Sequence, residues 1–216
     1  MTRNIPDRRR SGCRRDRRRP GAWFNGGVPG FDGTAYQARL DALAAAGQAM
    51  HGEADLVSAY RPSTVLDAGC GTGRVALELA RRGLEVVGVD YDQSMMSEGR
   101  RQSVGVAGVT WVEADLSGLR LGRLFDVVVL AGNVPLFCPP GNRPALVESC
   151  AAHVAPAGVL IAGFALDGRY ELSAWDDGCT AAGLILEERW STWDRQPFSG
   201  ARGDYAVSVH RRLGPA

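Results

Sequence analysis

The stretch VLDAGCGTGRVALELARRG, residues Val65–Gly83, combines an apolar strand, a glycine-rich turn and an amphipathic helix. Glycines in such a turn let the backbone approach a ligand closely, because no side chain holds the ligand away. The spacing is D-x-G-x-G-x-G, from Asp67 to Gly73. A dinucleotide fingerprint would need a glycine where Arg74 stands, and a P-loop would need Gly-Lys-Ser/Thr. The turn therefore predicts a nucleotide-containing ligand that is neither NAD(P) nor a nucleoside triphosphate.

Length and composition suit one globular domain. The chain has 216 residues, of which 45% are hydrophobic, and no apolar run approaches the ~20 residues that a membrane helix needs. The arginine-rich N-terminus has no apolar segment behind it, so we expect no secretory signal. The five cysteines are odd in number and form no C-x-x-C pair, which favours a reducing cytoplasm without a zinc site or disulfides.

Charge is distributed unevenly along the chain. Residues 1–20 contain nine arginines and two aspartates, a net charge of +7, whereas the remaining residues contain 16 arginines and 22 acids, a net charge of −6. Residues 1–33 are rich in Arg, Gly and Pro and lack periodicity. We therefore predict a disordered tail over residues 1–33 and one folded domain over residues 34–216.

Strand and helix patterns alternate through most of that domain. A helix of about 20 residues is predicted from Tyr36, ending before Arg61-Pro62. Strands are predicted at Thr64–Ala68, Glu85–Val89, Val109–Val112, Phe125–Ala131 and Val159–Ala165, with helices between them at Arg74–Arg82, Gln93–Ser103 and Pro144–Val154. The run Pro156-Ala157-Gly158 is expected to stop the last of these helices and to turn the chain.

The C-terminal part departs from this alternation. A helix at Tyr170–Ala182 precedes two strands, Leu184–Trp190 and Asp204–Arg212, which no helix separates and which should pair antiparallel. The pattern predicts an α/β fold: a doubly wound, mostly parallel seven-stranded sheet with helices on both faces and an antiparallel last strand.

The acids beside the glycine turn narrow the ligand. Asp67 at the mouth of the turn would repel a pyrophosphate and attract an ammonium group, while the helix N-terminus behind the glycines favours a carboxylate. Asp90 ends the next strand, where an acid commonly binds ribose hydroxyls. An amino acid joined to a nucleoside is S-adenosylmethionine.

Five motifs in order support this interpretation. Over roughly residues 35–212 the chain resembles the class I S-adenosylmethionine-dependent methyltransferases, with a Rossmann-like methyltransferase fold. The motifs are VLDAGCGTG, VVGVDYD, VEADL, FDVVVLAGNVP and PAGVLIAGF. The terminal hairpin matches the reversed last strand of that family.

The resemblance implies a role for each candidate residue. Asp67, Gly69 and Gly71 would line the methionine moiety, with Cys70 as a small residue of the same turn. Asp90 would hold the ribose, Tyr91 and Met95 would flank the adenine, and Asp115 and the Leu116 amide would bind the adenine edge. Ala131 and Asn133 would lie beneath the sulfonium. Simpler roles stay open: Asp67 as a cap, Asp115 as a turn residue, and Tyr91 and Met95 as core.

Candidate catalytic residues are His51 and Asn133. His51 lies on the leading helix and is expected to reach the site, although a surface role is the alternative; His153 and His210 should lie at the opposite edge of the sheet. The methyl acceptor is expected to contact three segments: the helix around Met50 and His51, the turn Asn133–Cys138, and the hairpin loop Trp193–Phe198 with Tyr205.

Three functions remain at this stage. The first is transfer of a methyl group to a small molecule, favoured because GNVP at Gly132–Pro135 lacks the Asn/Asp-Pro-Pro-Tyr/Phe run of many enzymes that methylate base amines. The second is an RNA methyltransferase or nucleic-acid binder that uses the basic tail. The third is a non-catalytic scaffold, which the complete set of cofactor motifs disfavours. No metal is expected.

Overall fold

The protein is described by a computed structural model that covers residues 32–201 and 203–214. The predicted tail lies, up to residue 31, outside the described residues. The helices are α1 (Gly33–Ala45), α2 (Gly52–Ala59), α3 (Arg74–Arg81), α4 (Gln93–Gln102), α5 (Val134–Phe137), α6 (Arg143–Ala152) and α7 (Leu172–Ala181). The strands are β1 (Thr64–Ala68), β2 (Glu85–Asp90), β3 (Val109–Glu113), β4 (Phe125–Leu130), β5 (Val154–Ala165), β6 (Leu184–Trp190) and β7 (Tyr205–Arg212).

One seven-stranded sheet organises these elements, in the order β3-β2-β1-β4-β5-β7-β6. The first five strands pair in parallel, and β7 pairs antiparallel with both β5 and β6. The predicted fold class is confirmed, including the reversed last strand. The carboxyl ends of β1, β2 and β4 meet at one edge, on either side of the point where the strand order reverses.

Two apolar cores cover the two faces of the sheet. One core joins the sheet to α6 and α7 and includes Phe125, Leu146 and Trp175, while the other joins it to α2 and α3 and includes Leu56, Leu79 and Val127. All of these side chains are almost fully buried. Because both faces are covered, the central strands carry continuous apolar runs rather than an alternating pattern.

The single leading helix predicted from Tyr36 is wrong, because the structure contains two helices, α1 and α2. α1 ends where Gly47 adopts a left-handed φ of 80°. The Gln48 amide donates to the Leu43 carbonyl and the Gly47 amide to the Ala44 carbonyl, the pattern of a Schellman motif. The apolar spacing continues past this glycine and conceals the break.

The start of the fifth strand also differs from the prediction. β5 begins at Val154, so the Pro156–Gly158 run belongs to the strand rather than to a turn before it. Its pairing with β4 shifts register between Phe125 and Val127, and Ala157 has a positive φ of 63°. The extra residues form an irregularity within a long strand. Because they include Pro and Gly, their sequence resembles that of a turn.

Candidate functional site

A cavity of about 340 Å³ opens at the carboxyl edge of the parallel strands. Its lining includes every residue that the sequence predicts at the cofactor, namely Asp67, Gly69, Cys70, Gly71, Asp90, Tyr91, Met95, Asp115, Leu116, Ala131 and Asn133. Their positions after β1, β2, β3 and β4 bring them together, because parallel strands end at the same edge.

The three glycines of the turn are required for different structural reasons. All have positive φ, at 81° for Gly69, 55° for Gly71 and 83° for Gly73. A Cβ at Gly69 would lie 2.5 Å from Val134, and a Cβ at Gly73 would lie 2.2 Å from the indole of Trp111. At Gly71 a Cβ would meet nothing within 4 Å. Gly69 and Gly73 therefore permit close packing, while the Gly71 backbone lies open to the cavity.

Asp90 lies at the end of β2 with both carboxylate oxygens engaged by backbone. Its Oδ2 accepts from the Gly71 amide at 2.8 Å and its Oδ1 from the Asp92 amide at 2.9 Å. Burial raises the pKa of this carboxyl above its ordinary value, and hydrogen bonds from the Asp92, Gly71 and Tyr91 amides oppose that rise. A carboxylate offers about four acceptor positions, so Asp90 keeps capacity for a ligand donor.

Asp67 is buried at the end of β1. Its Oδ2 accepts a hydrogen bond from the Ala76 amide in the first turn of α3, at 3.0 Å. The side chain is thus the helix cap that the sequence allowed as an alternative, and it also lines the cavity. Burial raises its pKa to about 7, against the opposing effects of the Ala76 amide and of Arg74.

Asp115 caps the short 3₁₀ turn Leu116–Gly118 after β3. Its Oδ1 accepts from both the amide and the hydroxyl of Ser117, each at 2.8 Å. Among its neighbours in the lining, Met95 is buried while Tyr91 is 39% exposed at the rim. The turn role and the cavity position coexist in Asp115, as they do in Asp67.

Asn133 is held in a left-handed conformation after β4, with φ of 67°. Its side-chain Oδ1 accepts a hydrogen bond from the Ala165 backbone amide at 2.8 Å, and its backbone amide donates to the Gly163 carbonyl at 3.2 Å. A non-glycine residue in this region is uncommon and is retained where its surroundings fix it. Because the oxygen faces Ala165, the opposite end of the side-chain amide carries the donors.

The wall formed by α1 is not among the predicted cofactor contacts. Tyr36 and Arg39, three residues apart on α1, line the cavity. Gln37 binds the helix to the glycine turn through the Thr72 hydroxyl at 2.7 Å. At the start of α1, the Gly33 amide donates to the Ser94 hydroxyl at 2.9 Å. The spacing of Tyr36 and Arg39, three residues on a helix, is the signal that could have placed both side chains on one face.

Arg74 lies beside the turn and is paired with α2. Its guanidinium binds both oxygens of Glu53, one of them at 2.9 Å, and also contacts the Met50 carbonyl. This bidentate pair balances the positive charge of Arg74 at the cavity wall. Further lining residues outside the predicted cofactor contacts are Val75, Gly132, Val134, Phe137, Cys138, Pro139, Asn142 and Leu146, of which Val134, Phe137 and Cys138 belong to the turn predicted to contact the acceptor.

The structure does not bring His51 into the cavity lining. The ring lies at the start of α2, with its Nδ1 3.9 Å from Glu78 on α3. Trp193 packs on the sheet, since a Cβ at Gly163 would lie 2.4 Å from its indole. Of the three segments expected to contact the acceptor, the turn Asn133–Cys138 lines the cavity.

The other two histidines lie away from the cavity. His153 ends α6, and its Nε2 accepts from the Leu121 amide at 3.0 Å. His210 is buried near the end of β7, with Nε2 3.2 Å from Asp176. Within residues 32–201 and 203–214 no group of three or more His, Cys, Asp and Glu side chains is arranged to hold a metal ion. In the same part of the chain, every helix is too short or too polar to cross a lipid bilayer.

Comparison with known proteins assigns this fold and site to a class. Residues 65–158 match the family model described as a methyltransferase domain. A TehB-like SAM-dependent methyltransferase from Corynebacterium glutamicum superposes with a TM-score of 0.76 at 30% identity, over 83% of this chain and 97% of that one. The chain belongs to the class I S-adenosylmethionine-dependent methyltransferases, and S-adenosylmethionine is its cofactor.

Curated relatives share a shorter region. The chain is 34% identical over 106 residues to a cypemycin N-terminal methyltransferase from Streptomyces sp.. It is 30% identical over 111 residues to a dTDP-3-amino-3,4,6-trideoxy-alpha-D-glucopyranose N,N-dimethyltransferase from Streptomyces venezuelae. The matches cover 47% and 50% of this chain, and the chain spans less than half the length of these two relatives, 43% and 46%.

Proposed function

We propose that this chain transfers a methyl group from S-adenosylmethionine to a small-molecule acceptor. The observation that carries the proposal is the Asp90 carboxylate, which backbone amides fix at the open glycine turn while it keeps capacity for a further donor. A ribose hydroxyl supplies that donor. The open backbone at Gly71 provides the matching surface for close approach.

The remaining contacts follow the order of the strands. The Asp67 carboxylate faces the ammonium of the methionine moiety, Tyr91 and Met95 flank the adenine, and Asp115 with the Leu116 amide reads its edge. Ala131 and Asn133 lie beneath the sulfonium. We assign these roles on the basis that all of these residues line one cavity.

Methyl transfer requires the protein mainly to orient the cofactor and the acceptor. The cofactor supplies an electrophilic methyl group on a sulfonium that is already a good leaving group. The chain's residues hold the two reactants in line and exclude water, which together lower the barrier. A general base is needed only for an acceptor that must lose a proton early. Asn133, the candidate catalytic residue in the lining, would orient the acceptor with its amide donors.

A small-molecule acceptor is supported by the enclosed lining and by relatives. Phe137, Cys138, Pro139 and Asn142, which follow β4 in the chain, also line the cavity. Two curated relatives are named as a cypemycin N-terminal methyltransferase and as an N,N-dimethyltransferase of a dTDP-linked amino sugar. A cytoplasmic location is also proposed; Cys70, Cys138, Cys150 and Cys179 are free thiols.

RNA methylation is the second candidate, favoured by the nine arginines within residues 1–20. A 23S rRNA methyltransferase from Aeromonas salmonicida is 37% identical over 81 residues, which is 18% of that protein. No aromatic residues are interleaved with these arginines, so the basic segment is weak support for nucleic-acid binding. The small-molecule function therefore ranks first.

Calorimetry tests the proposal. The full chain should bind S-adenosylmethionine and S-adenosylhomocysteine and should not bind NAD. Asp90→Ala should weaken both cofactor forms by about 1–3 kcal/mol, the cost of leaving buried polar groups without a partner. Asp167→Ala, which removes an exposed acid paired with Arg169, is the matched control and should leave affinity unchanged.

Activity is then measured with methyl-labelled cofactor and a bacterial metabolite extract. Label should pass to compounds of low molecular weight rather than to added RNA. Binding of NAD without binding of S-adenosylmethionine would contradict the proposal, as would methyl transfer confined to RNA.

A further inference from the structure

One cation lines the cavity without a carboxylate partner in the described part of the chain. Arg39 lies on α1 with an exposed side chain, and its guanidinium carbon lies 5.4 Å from the centre of the Tyr36 ring. Within residues 32–201 and 203–214 no acid lies within salt-bridge distance of it. Arg74, the other cation of the lining, is balanced by the bidentate pair with Glu53.

The acids of the cavity lie elsewhere and are already engaged. Asp67, Asp90 and Asp115 follow β1, β2 and β3, and each accepts hydrogen bonds from nearby backbone amides. They line the part of the cavity assigned to the cofactor. The three acids thus follow strands of the sheet, whereas the cation without a carboxylate partner, Arg39, lies on α1.

The polar groups of the lining outside the strand ends include hydrogen-bond donors and no carboxylate. The Asn133 oxygen is occupied by the Ala165 amide, which leaves the Nδ2 hydrogens for a ligand. The lining residues from α1, α5 and the 3₁₀ turn Pro140–Asn142 include Tyr36, Arg39 and Asn142 and include no Asp or Glu. A wall of this kind repels an ammonium group and attracts an anionic oxygen.

We infer that the methyl acceptor carries an anionic oxygen group, a carboxylate or a phosphate, which Arg39 binds at the mouth of the cavity. The inference rests on the proposed function and narrows its acceptor to an acidic small molecule. Arg39 acts here as a specificity-determining residue: its planar guanidinium binds such a group with two parallel hydrogen bonds, and Tyr36 stacks against that guanidinium.

The test measures binding of simple probes to the full chain saturated with S-adenosylhomocysteine. Benzoate, benzyl alcohol and benzylamine share one ring and differ in charge. Ligand-detected NMR titration should show benzoate binding more tightly than the other two. Arg39→Gln should weaken benzoate by about tenfold, as expected for loss of a charge-assisted hydrogen bond.

Two variants separate charge from geometry. Arg39→Lys should weaken benzoate binding less than Arg39→Gln does, because lysine keeps the positive charge and loses only the two parallel hydrogen bonds of the guanidinium. Arg81→Gln is the matched control, since Arg81 is a half-exposed residue of α3 outside the cavity lining. The arginines of residues 1–20 are common to all variants, so the difference between Arg39→Gln and Arg81→Gln isolates Arg39.

The carboxylate of the cofactor is the competing occupant of Arg39. Calorimetry with S-adenosylhomocysteine and with methylthioadenosine, which lacks the amino-acid group, distinguishes the two. If Arg39→Gln weakens only S-adenosylhomocysteine, Arg39 serves the cofactor and the inference is overturned. Equal binding of benzylamine, or benzoate binding that Arg39→Gln leaves unchanged or that is undetectable, also overturns it.

Failure of the proposed function gives a different result. In that case S-adenosylhomocysteine does not bind the wild-type chain at all. The benzoate titration of the cofactor-free protein, with the same variants, still decides whether Arg39 forms an anion site.

Discussion

Asp67 illustrates how one residue combines a structural and a ligand-binding duty. Its carboxylate caps α3 through the Ala76 amide and faces the cavity from a fully buried position. Removal from water is the largest influence on it and raises its pKa to about 7. A carboxyl that titrates near neutrality makes cofactor binding depend on pH.

We expect affinity for S-adenosylmethionine to rise by about eightfold between pH 6 and pH 7.5, because the ionised carboxylate attracts the ligand ammonium. The folded pKa lies above the unfolded value, so Asp67 is protonated in the free protein at the lower pH and ionised at the higher. For stability the sign is opposite: the contribution of Asp67 is full below about pH 4 and is lost as pH rises toward 7.

Calorimetry over this pH range checks the prediction, and Asp67→Asn is the control. Asparagine keeps an oxygen for the Ala76 amide and removes the charge, so binding should be weak and flat with pH. An equally steep pH dependence in this variant would assign the titration to another group.

Gly73 shows a residue whose requirement comes from a distant part of the chain. The indole of Trp111 on β3 lies against Gly73, Gly88 and Gly99, where added Cβ atoms would come within 2.2, 2.8 and 3.2 Å of it. The glycine turn thus keeps its third glycine both for a positive φ and to accommodate a tryptophan. The sequence motif shows that a glycine is present at position 73 and does not show that Trp111 packs against it.

At the scale of elements, the break between α1 and α2 decides which leading residues face the cavity. α1 contributes Tyr36 and Arg39 to the wall, while the break carries Met50 to Arg74 and directs His51 toward Glu78. The hairpin loop after β6 likewise lies on the sheet, where Trp193 and Tyr205 occupy the space left by Gly163. Burial raises the pKa of the Tyr205 phenol to about 12, against hydrogen bonding from Trp193.

These placements predict different effects for two substitutions. Trp193→Ala should lower the free energy of unfolding by about 2 kcal/mol, since it leaves a gap against Gly163 and Tyr205. His51→Ala should change unfolding by less than about 0.5 kcal/mol, as for other surface substitutions. Both variants should retain cofactor affinity.

Urea unfolding and calorimetry together check this pair. A His51→Ala variant that folds normally and loses cofactor or methyl transfer would restore His51 to the site. A Trp193→Ala variant of unchanged stability would show that the loop contributes little to the packing of the sheet.

At the scale of the whole molecule, the basic N-terminal segment and the acidic remainder carry opposite net charges. The described fold begins with Asp32, whose side chain caps α1 through the Ala35 amide at 3.0 Å. That cap satisfies a backbone donor that the helix itself leaves unpaired. The N-terminus of α1 is therefore capped at this residue.

A chain that begins at Asp32 should keep its melting temperature and its affinity for S-adenosylmethionine. Thermal unfolding and calorimetry on both lengths measure this. The full chain should bind RNA weakly, with affinity falling steeply as salt rises, and the shortened chain should not. Loss of cofactor binding on shortening would mean that residues 1–31 contribute to the site.

The sequence by itself determined the α/β layers, the reversed last strand and the group of strand-end residues that meet at the cavity. Apolar runs and glycine turns report burial and backbone geometry locally, and parallel strands bring their ends together by necessity. Asp67, Asp90 and Asn133 could therefore be grouped although 66 residues separate the first from the last.

Only the tertiary structure decided which face of α1 lines the cavity, which way His51 points, and how Asn133 presents its side-chain amide. Each depends on a partner that is remote in sequence: Thr72 for α1, Glu78 for His51, and Ala165 for Asn133. A periodic pattern specifies that a helix has a buried face, and it does not specify what covers that face. The direction of a side chain is set by such contacts, because single hydrogen bonds and ion pairs select among conformations that the local sequence allows equally.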